Sequence, residues 1–415
     1  MAPESPVKDT YEPVHVAIEA AGGGYTLLRN GVPSFVLGAA GHMHLERLRD
    51  AGGNSIRAGV EDLETAHRLG LTVLAGLPFG KPRAGFDYLD RERVAEQRER
   101  LRTIVRSHRR HPALLMWALG NELEIFTTPE QRVPLWRAVD EAATMIHEED
   151  PDHPVITPIG DLYKSCLHEL NAHCPNLDAV GLNSYADMLS LPEDLQREGW
   201  TRPYIITEFG PRGHWQVPRA PWGVPIEDTS TEKADFYLRA YTHAVEGRLA
   251  CLGAYVFHWA QHHEKTHTWY GMFLEDGSPT AAVEVMEYLW TGRWPARRWP
   301  VIGPGRIGIG SEAPSPPTRC AAGAELDVSV DASHPQGEPL HIEWDLRPDV
   351  SDHPNVGGDP EPSVRPIPGS ILRQEGPTAK VRIPAQPGKY RLFVAVRDPG
   401  GRAAVANLPI LAEQP

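Results

Sequence analysis

Short apolar runs recur along the first two thirds of the chain, at 35–39, 54–58, 71–77, 113–119, 155–158, 178–183, 203–208 and 251–258. Each leaves through small or polar residues, and amphipathic stretches fill most of the gaps. The clearest are "LDRERVAEQRERLRTIVRSH" (89–108) and "STEKADFYLRAYTHAVEG" (230–247), with apolar positions three and four apart, as a helix buried on one face requires. Ser230 or Thr231 is expected to cap the second, and Gly247 to end it. Ahead of these, "HVAIEA" and "YTLLRNGVPSFVLGAA" read as short strands, with Asn30-Gly31 a hairpin signal. Eight strands alternating with helices over about 260 residues predict a (β/α)8 TIM barrel. A doubly wound sheet would place a GxGxxG turn after the first strand, and "GAAGHMH" lacks that spacing.

The texture changes near residue 290. "GRWPARRWPVIGPGRIGIGSEAPSPPT" is rich in Pro and Gly without a helical period, so 293–318 is expected to be a linker. Beyond it, "ELDVSVDAS", "LHIEWDLRP", "AKVRIPA", "KYRLFVAVRD" and "AAVANLPILA" alternate apolar and polar positions between turn clusters. An all-β sandwich over 319–415 follows, with Trp344 as a core anchor. "VDASHPQGEPLHIEWDL" and "PGKYRLFVAVRDPGGRAA" resemble a polycystic-kidney-disease-type immunoglobulin-like domain. The expected plan is therefore a leader and first hairpin strand (1–24), a barrel (25–292), the linker and the sandwich.

Composition adds exclusions. The 415 residues exceed the size at which single cores stop growing, consistent with two domains. A net charge of −14 argues against nucleic acid or an anionic membrane as partner. No apolar run approaches the roughly 18 residues of a membrane span. The N-terminus lacks a basic region followed by an apolar stretch, so the expected location is cytoplasmic, or secreted if a leader was removed. Cys166, Cys174, Cys251 and Cys320 are too few and too irregular for a disulfide framework or CxxC zinc site; free thiols are expected, with a Cys166–Cys174 pair as the alternative.

Barrel active sites sit at the C-terminal ends of the strands, so the strand exits carry the candidate chemistry. These are Arg57 on the second strand, Asn121 and Glu122 on the fourth, Asn183 and Tyr185 on the sixth, Glu208 on the seventh and Trp259 on the eighth. Two carboxylates across a barrel mouth suit retaining glycoside cleavage. One protonates the leaving oxygen while the other attacks the anomeric carbon from the opposite face, about 5–5.5 Å away. Arg57, Asn183 and Tyr185 can hold the nucleophile charged, Asn121 can donate to a sugar 2-hydroxyl, and Trp259 offers a flat apolar face. The blander readings are Glu122 as a helix-start carboxylate and Arg57 paired with Glu61 or Asp62.

With those residues in view, "HPALLMWALGNE" resembles the acid/base strand of clan A glycoside hydrolases, and "ITEFG" their nucleophile strand. "NGVPSFVLGAAGH" and "GGNSIRAG" are similar to the start of the barrel in glycoside hydrolase family 2, and "GLNSY" to its β-glucuronidase and β-galactosidase members. The resemblance covers roughly residues 25–290. It implies Glu122 as acid/base and Glu208 as nucleophile, acting by double displacement on a β-linked carbohydrate, without metal or organic cofactor. Arg57, Asn121, Tyr185 and Trp259 carry over as supporting residues.

Other features compete. "GHMH" (41–44) has the His-x-His of an amidohydrolase metal site, but the fifth, sixth and eighth strand exits lack the histidines and aspartate which that site needs. His42 is kept as a pocket residue. "HWAQHHEKTHTWYGMF" supplies Trp269 and Lys265 as candidate subsite residues, against a reading as a polar loop, and Trp215 and Trp222 are offered similarly. A transglycosylase would use the same two glutamates, and a non-catalytic glycan-binding protein would need neither. Homo-oligomerisation stays open.

Overall fold

The computed structural model describes residues 11–160, 164–354 and 361–414. Its strands, in chain order, begin with β1 Val16–Ala21, β2 Gly24–Arg29 and β3 Val32–Ser34, then β4 Val36–Ala40, β5 Ser55–Ala58, β6 Thr72–Leu77 and β7 Leu114–Leu119. They continue with β8 Val155–Ile159, β9 Ala179–Ser184, β10 Tyr204–Phe209 and β11 Cys251–Val256. The C-terminal strands are β12 Val301–Ile309, β13 Thr318–Ala321, β14 Glu325–Ser333, β15 His341–Pro348, β16 Ile371–Glu375, β17 Thr378–Arg382, β18 Gly388–Arg397 and β19 Ala403–Glu413. The helices are α1 Leu45–Asp50, α2 Leu63–Arg68, α3 Arg91–His108, α4 Pro129–Glu149, α5 Lys164–His173, α6 Leu191–Arg197, α7 Ser230–Ala244 and α8 Ala281–Thr291. None of the helices among the described residues is long and apolar enough to cross a membrane.

Strands β4 to β11 close an eight-stranded parallel barrel in the order β10-β11-β4-β5-β6-β7-β8-β9. All eight expected strands are present. β7 shows why they were readable: every residue of "LLMWAL" is buried, as a strand covered on both faces demands. The buried indole of Trp117 on this strand donates to Asp150 Oδ2 at 2.7 Å. β1, β2 and β3 form a three-stranded antiparallel sheet whose Val16 and Leu27 join a core containing Leu74, Leu115 and Ile205 of the barrel. Asn30-Gly31 turns β2 into β3 with both residues at positive φ, and Gly22-Gly23 makes the preceding turn.

The chain divides into two compact units, 1–209 with 241–257, and 210–240 with 258–415. The boundaries therefore differ from the expected break after residue 292. In the second unit, two four-stranded sheets, β12-β14-β17-β16 and β13-β19-β18-β15, enclose one apolar core that includes Trp344, Leu346, Val381 and Leu392.

Two expectations are corrected here. The 293–318 stretch is not all linker, because it contains β12, paired with β14. Its glycines make room for a close neighbour: a Cβ on Gly303 would collide with the Asp331 carboxylate, which instead accepts from the Gly305 N–H at 2.9 Å. Neither Ser230 nor Thr231 caps α7. Thr229 and Glu232 exchange backbone and side-chain hydrogen bonds in a capping box, at 2.8 and 3.2 Å. The hydroxyls of Ser230 and Thr231 instead accept from Val405 N and Ile302 N. All four cysteines are free.

Candidate functional site

The site grows from how two strands end. After β7, Gly120 takes φ 66 and Glu122 takes φ 51, left-handed conformations that only the first adopts without strain. The exit is stitched down on both sides, Gly120 N donating to Leu77 O of β6 at 3.1 Å and Glu122 N to Pro158 O of β8 at 2.9 Å. In a regular strand, successive side chains point to opposite faces. The left-handed turn lets Asn121 and Glu122 serve the same site. β10 reaches the same result through a register irregularity against β9 between Ile206 and Glu208. Bulges of this kind re-aim side chains beside active sites.

Six of the expected residues are thereby brought together. Arg57 Nη1 donates to Glu208 Oε1 at 2.5 Å and to Thr207 O at 3.1 Å, and its Nη2 donates to Asn121 Oδ1 at 2.6 Å. Tyr185 Oη donates to Glu208 Oε2 at 3.1 Å. Asn183 Nδ2 donates to Asn121 Oδ1 at 3.0 Å and to Glu122 Oε1 at 2.9 Å. A continuous chain of hydrogen bonds thus runs from Glu208 through Arg57, Asn121 and Asn183 to Glu122. Arg57 pairs with Glu208 rather than with Glu61 or Asp62. One partner is corrected: Asn183 serves Glu122, not Glu208, because Thr207 Oγ1 donates to Asn183 Oδ1 at 2.7 Å and turns the amide donor away.

The two carboxyls are held differently. Burial, followed by the proximity of Glu208, pushes Glu122 up to about 7, against the favourable Asn183 hydrogen bond. Glu208 is in an ion pair with Arg57, both side chains mostly buried.

Three further residues lie at the site without having been expected. Thr207 orients Asn183. Lys81, on the loop after β6, is pushed down by burial and then by Arg83, while Glu122 and Glu208 favour its charge. Glu124 is 3% exposed, and burial drives its carboxyl up to about 8. The strand-end rule applied to "PFGK" would have found Lys81. Glu124 shares the "GNELE" exit with Glu122, and Thr207 is next to Glu208 in "ITEFG".

His42 is exposed after β4. Trp259, Trp269 and Lys265 lie in the second unit, where none is an open platform. Trp259 is 1% exposed, its indole packed on Phe273 and Trp290. The chain folds back immediately after it, with Met272 N donating to His258 O, which draws the ring inward. Trp269 is equally buried and donates to Arg212 O at 3.1 Å. Lys265, at φ 62 in the tight turn joining Glu264 to Thr266, donates from Nζ to His353 O at 2.6 Å. Trp215 is exposed.

One trio among the described residues, His334, Glu338 and Asp398, is close enough to share a metal ion. Its donor set does not suit one. Arg402 Nε already donates to Asp398 Oδ2 at 2.5 Å, and His334 Nδ1 accepts from the backbone N–H groups of Gln336 and Glu338. That leaves His334 Nε2 protonated, facing Arg298 O at 3.1 Å.

Residues 83–214 match the family model for the TIM barrel domain of glycosyl hydrolases family 2. The match contains Asn121, Glu122, Asn183, Tyr185 and Glu208, and meets the resemblance drawn from those motifs. Among solved structures, the fold is similar to Bacteroides uniformis β-glucuronidase 2 covalently bound to cyclophellitol-6-carboxylate aziridine, with TM-score 0.53 and 15% identity, covering 96% of this chain and 48% of that one. It is similar to Bifidobacterium dentium β-glucuronidase complexed with coumarin-3-O-glucuronide, with TM-score 0.53 and 17% identity, covering 67% and 49%. A putative β-galactosidase from Bacteroides fragilis gives TM-score 0.52 and 15% identity, covering 96% and 58%. The chain thus spans about half the length of these structures. No curated protein matches.

Proposed function

We propose that this protein is a retaining glycoside hydrolase acting on β-linked glycosides, with Glu208 as nucleophile and Glu122 as acid/base. The observation that carries this reading is the pair of carboxyls at the exits of β7 and β10, one in an ion pair with Arg57 and the other pushed up to about 7. A nucleophile must be charged and a general acid protonated near neutral pH, and environment is how two glutamates divide those roles.

In the first step, a Glu208 oxygen attacks the anomeric carbon. The bond to the leaving oxygen breaks as Glu122 transfers its proton there, leaving a glycosyl ester on Glu208. In the second step, Glu122, now ionised, takes a proton from water as that water attacks the anomeric carbon and releases Glu208. Asn121 accepts from Arg57 and Asn183 through Oδ1, so its amide donor is the group it has to offer a sugar hydroxyl. The family 2 match supports the reading, and the sugars named for the structural neighbours make aryl β-glucuronides and β-galactosides the first substrates to assay.

Substitution separates the two roles. Glu208→Ala and Glu122→Ala should each lower kcat/KM by about a thousandfold or more on an unactivated substrate. Azide should rescue both on an activated aryl glycoside, giving the α-glycosyl azide with Glu208→Ala and the β-glycosyl azide with Glu122→Ala. Near-native turnover by either folded variant would sink the assignment.

A further inference from the structure

Glu124 is a second carboxyl beside Glu122 that the double displacement leaves without a task. It is 3% exposed, and its Oε1 accepts from Gly160 N, at the end of β8, at 2.6 Å. Its Oε2 is buried with no hydrogen-bond partner among the described residues. Gly160 is shared: a Cβ there would lie 3.3 Å from Glu124 Oε1, 3.4 Å from Glu122 Cδ and 3.1 Å from Ile125 Cδ1. The two carboxyls therefore border one niche, floored by a glycine. An unpaired ionised carboxylate is the costliest group to leave in such a place, and a neutral acid is far cheaper.

We propose that Glu124 is a positioning residue that works as an uncharged acid, pinning the loop that carries Glu122 to the end of β8 while leaving Glu122 alone to exchange the catalytic proton. This rests on Glu122 being the acid/base. Among the described residues, the charged and titratable groups facing Glu124 are Glu122 on its own loop, Arg132 on α4 and Cys166 on α5. Glu122 opposes ionisation of Glu124, and Arg132 favours it less than burial disfavours it. The Gly160 N–H holds Oε1 in either state, but ionised Glu124 would repel Glu122 and leave Oε2 as buried, unpartnered charge, so raising the pH through about 8 should displace the loop.

The pH profile distinguishes this from a merely structural brace. In the wild type, log kcat/KM should fall one unit per pH unit above about 7, where Glu122 ionises, and two units per pH unit above about 8, where Glu124 follows. Glu124→Gln stays neutral and keeps the acceptor for Gly160, so its alkaline limb should fall by one unit throughout. Glu124→Ala should lower kcat about tenfold or more with a smaller change in KM, and Glu124→Gln should restore most of the loss. Identical limbs in wild type and Glu124→Gln, or a Gln variant as impaired as Ala while folded, would overturn the proposal.

An assay without substrate separates this from the functional reading. The wild-type minus Glu124→Gln infrared difference spectrum at pH 7 should contain a carboxylic acid C=O band that is lost as pH passes about 8. If Glu124→Gln does not fold, Glu122→Gln, which retains Glu124, should show the acid band titrating at a lower pH than in the wild type, because the opposing Glu122 charge is gone. A carboxylate band at pH 7 would overturn the proposal whatever the activity. The acid band without turnover of any β-glycoside would leave Glu124 neutral and overturn the glycosidase reading instead.

Discussion

Glu122 combines two costs, a left-handed backbone at φ 51 and a carboxyl kept from water. Each is worth on the order of 1–3 kcal/mol and persists only where neighbours over-determine it. Here those neighbours are Pro158 O, which holds the backbone, and Asn183 Nδ2, which holds the side chain. The pH dependence follows with a definite sign. A group raised to about 7 is protonated below that pH and ionised above it, and the first step needs the proton. Activity should therefore be lost as pH rises through about 7, and initial rates of kcat/KM across pH 5 to 9 check it. A limb near the ordinary carboxyl value of about 4.5 would mean that Glu122 is not buried as described. None of this was legible in "GNELE", because positive φ and desolvation are imposed by chain segments distant in sequence.

At the scale of elements, the barrel strands were legible and their irregularities were not. Continuous apolar runs such as "LLMWAL" identify buried parallel strands whatever surrounds them. The bulge in β10 left no mark, since "YIITEFG" reads the same with or without it. The interior of the barrel sets a further requirement at Gly181 of β9. A Cβ there would meet Thr207 Cγ2 at 2.8 Å and Pro158 Cα at 3.0 Å. Gly181→Ala should push Thr207 away from Asn183 and destabilise the barrel by roughly 1–3 kcal/mol through overpacking. Thermal unfolding and kcat/KM should both fall. Unchanged values in both would show that β8 and β10 give way freely at this point. The α7 cap teaches the same lesson, because Thr229, Ser230 and Thr231 are all competent caps in sequence. Contacts with β12 and β19 engage the last two and leave Thr229 to the helix.

At the scale of the whole chain, the sandwich core is built around Trp344 as its sequence pattern indicated. Trp344→Ala should cost about 3–5 kcal/mol, read as a lower urea midpoint for loss of the C-terminal sheets. A midpoint unchanged within error would remove Trp344 from the core. The unit boundaries were less legible than the elements. Composition marks a Pro/Gly-rich stretch as an unstructured joint, whereas β12 shows such a stretch pairing as a strand once a neighbour supplies the ladder.

Sequence alone determined which segments are strands, that eight of them close a barrel, and which strand exits carry carboxylates, because side-chain periodicity and burial are properties of local pattern. Only the tertiary structure decided what those exits do together. It assigned Asn183 to Glu122 and Arg57 to Glu208, added Lys81, Glu124 and Thr207, and packed Trp259, Trp269 and Lys265 within the other unit. Hydrogen-bond partners, desolvation and left-handed turns depend on which remote segments meet, and the order of residues along the chain does not contain that.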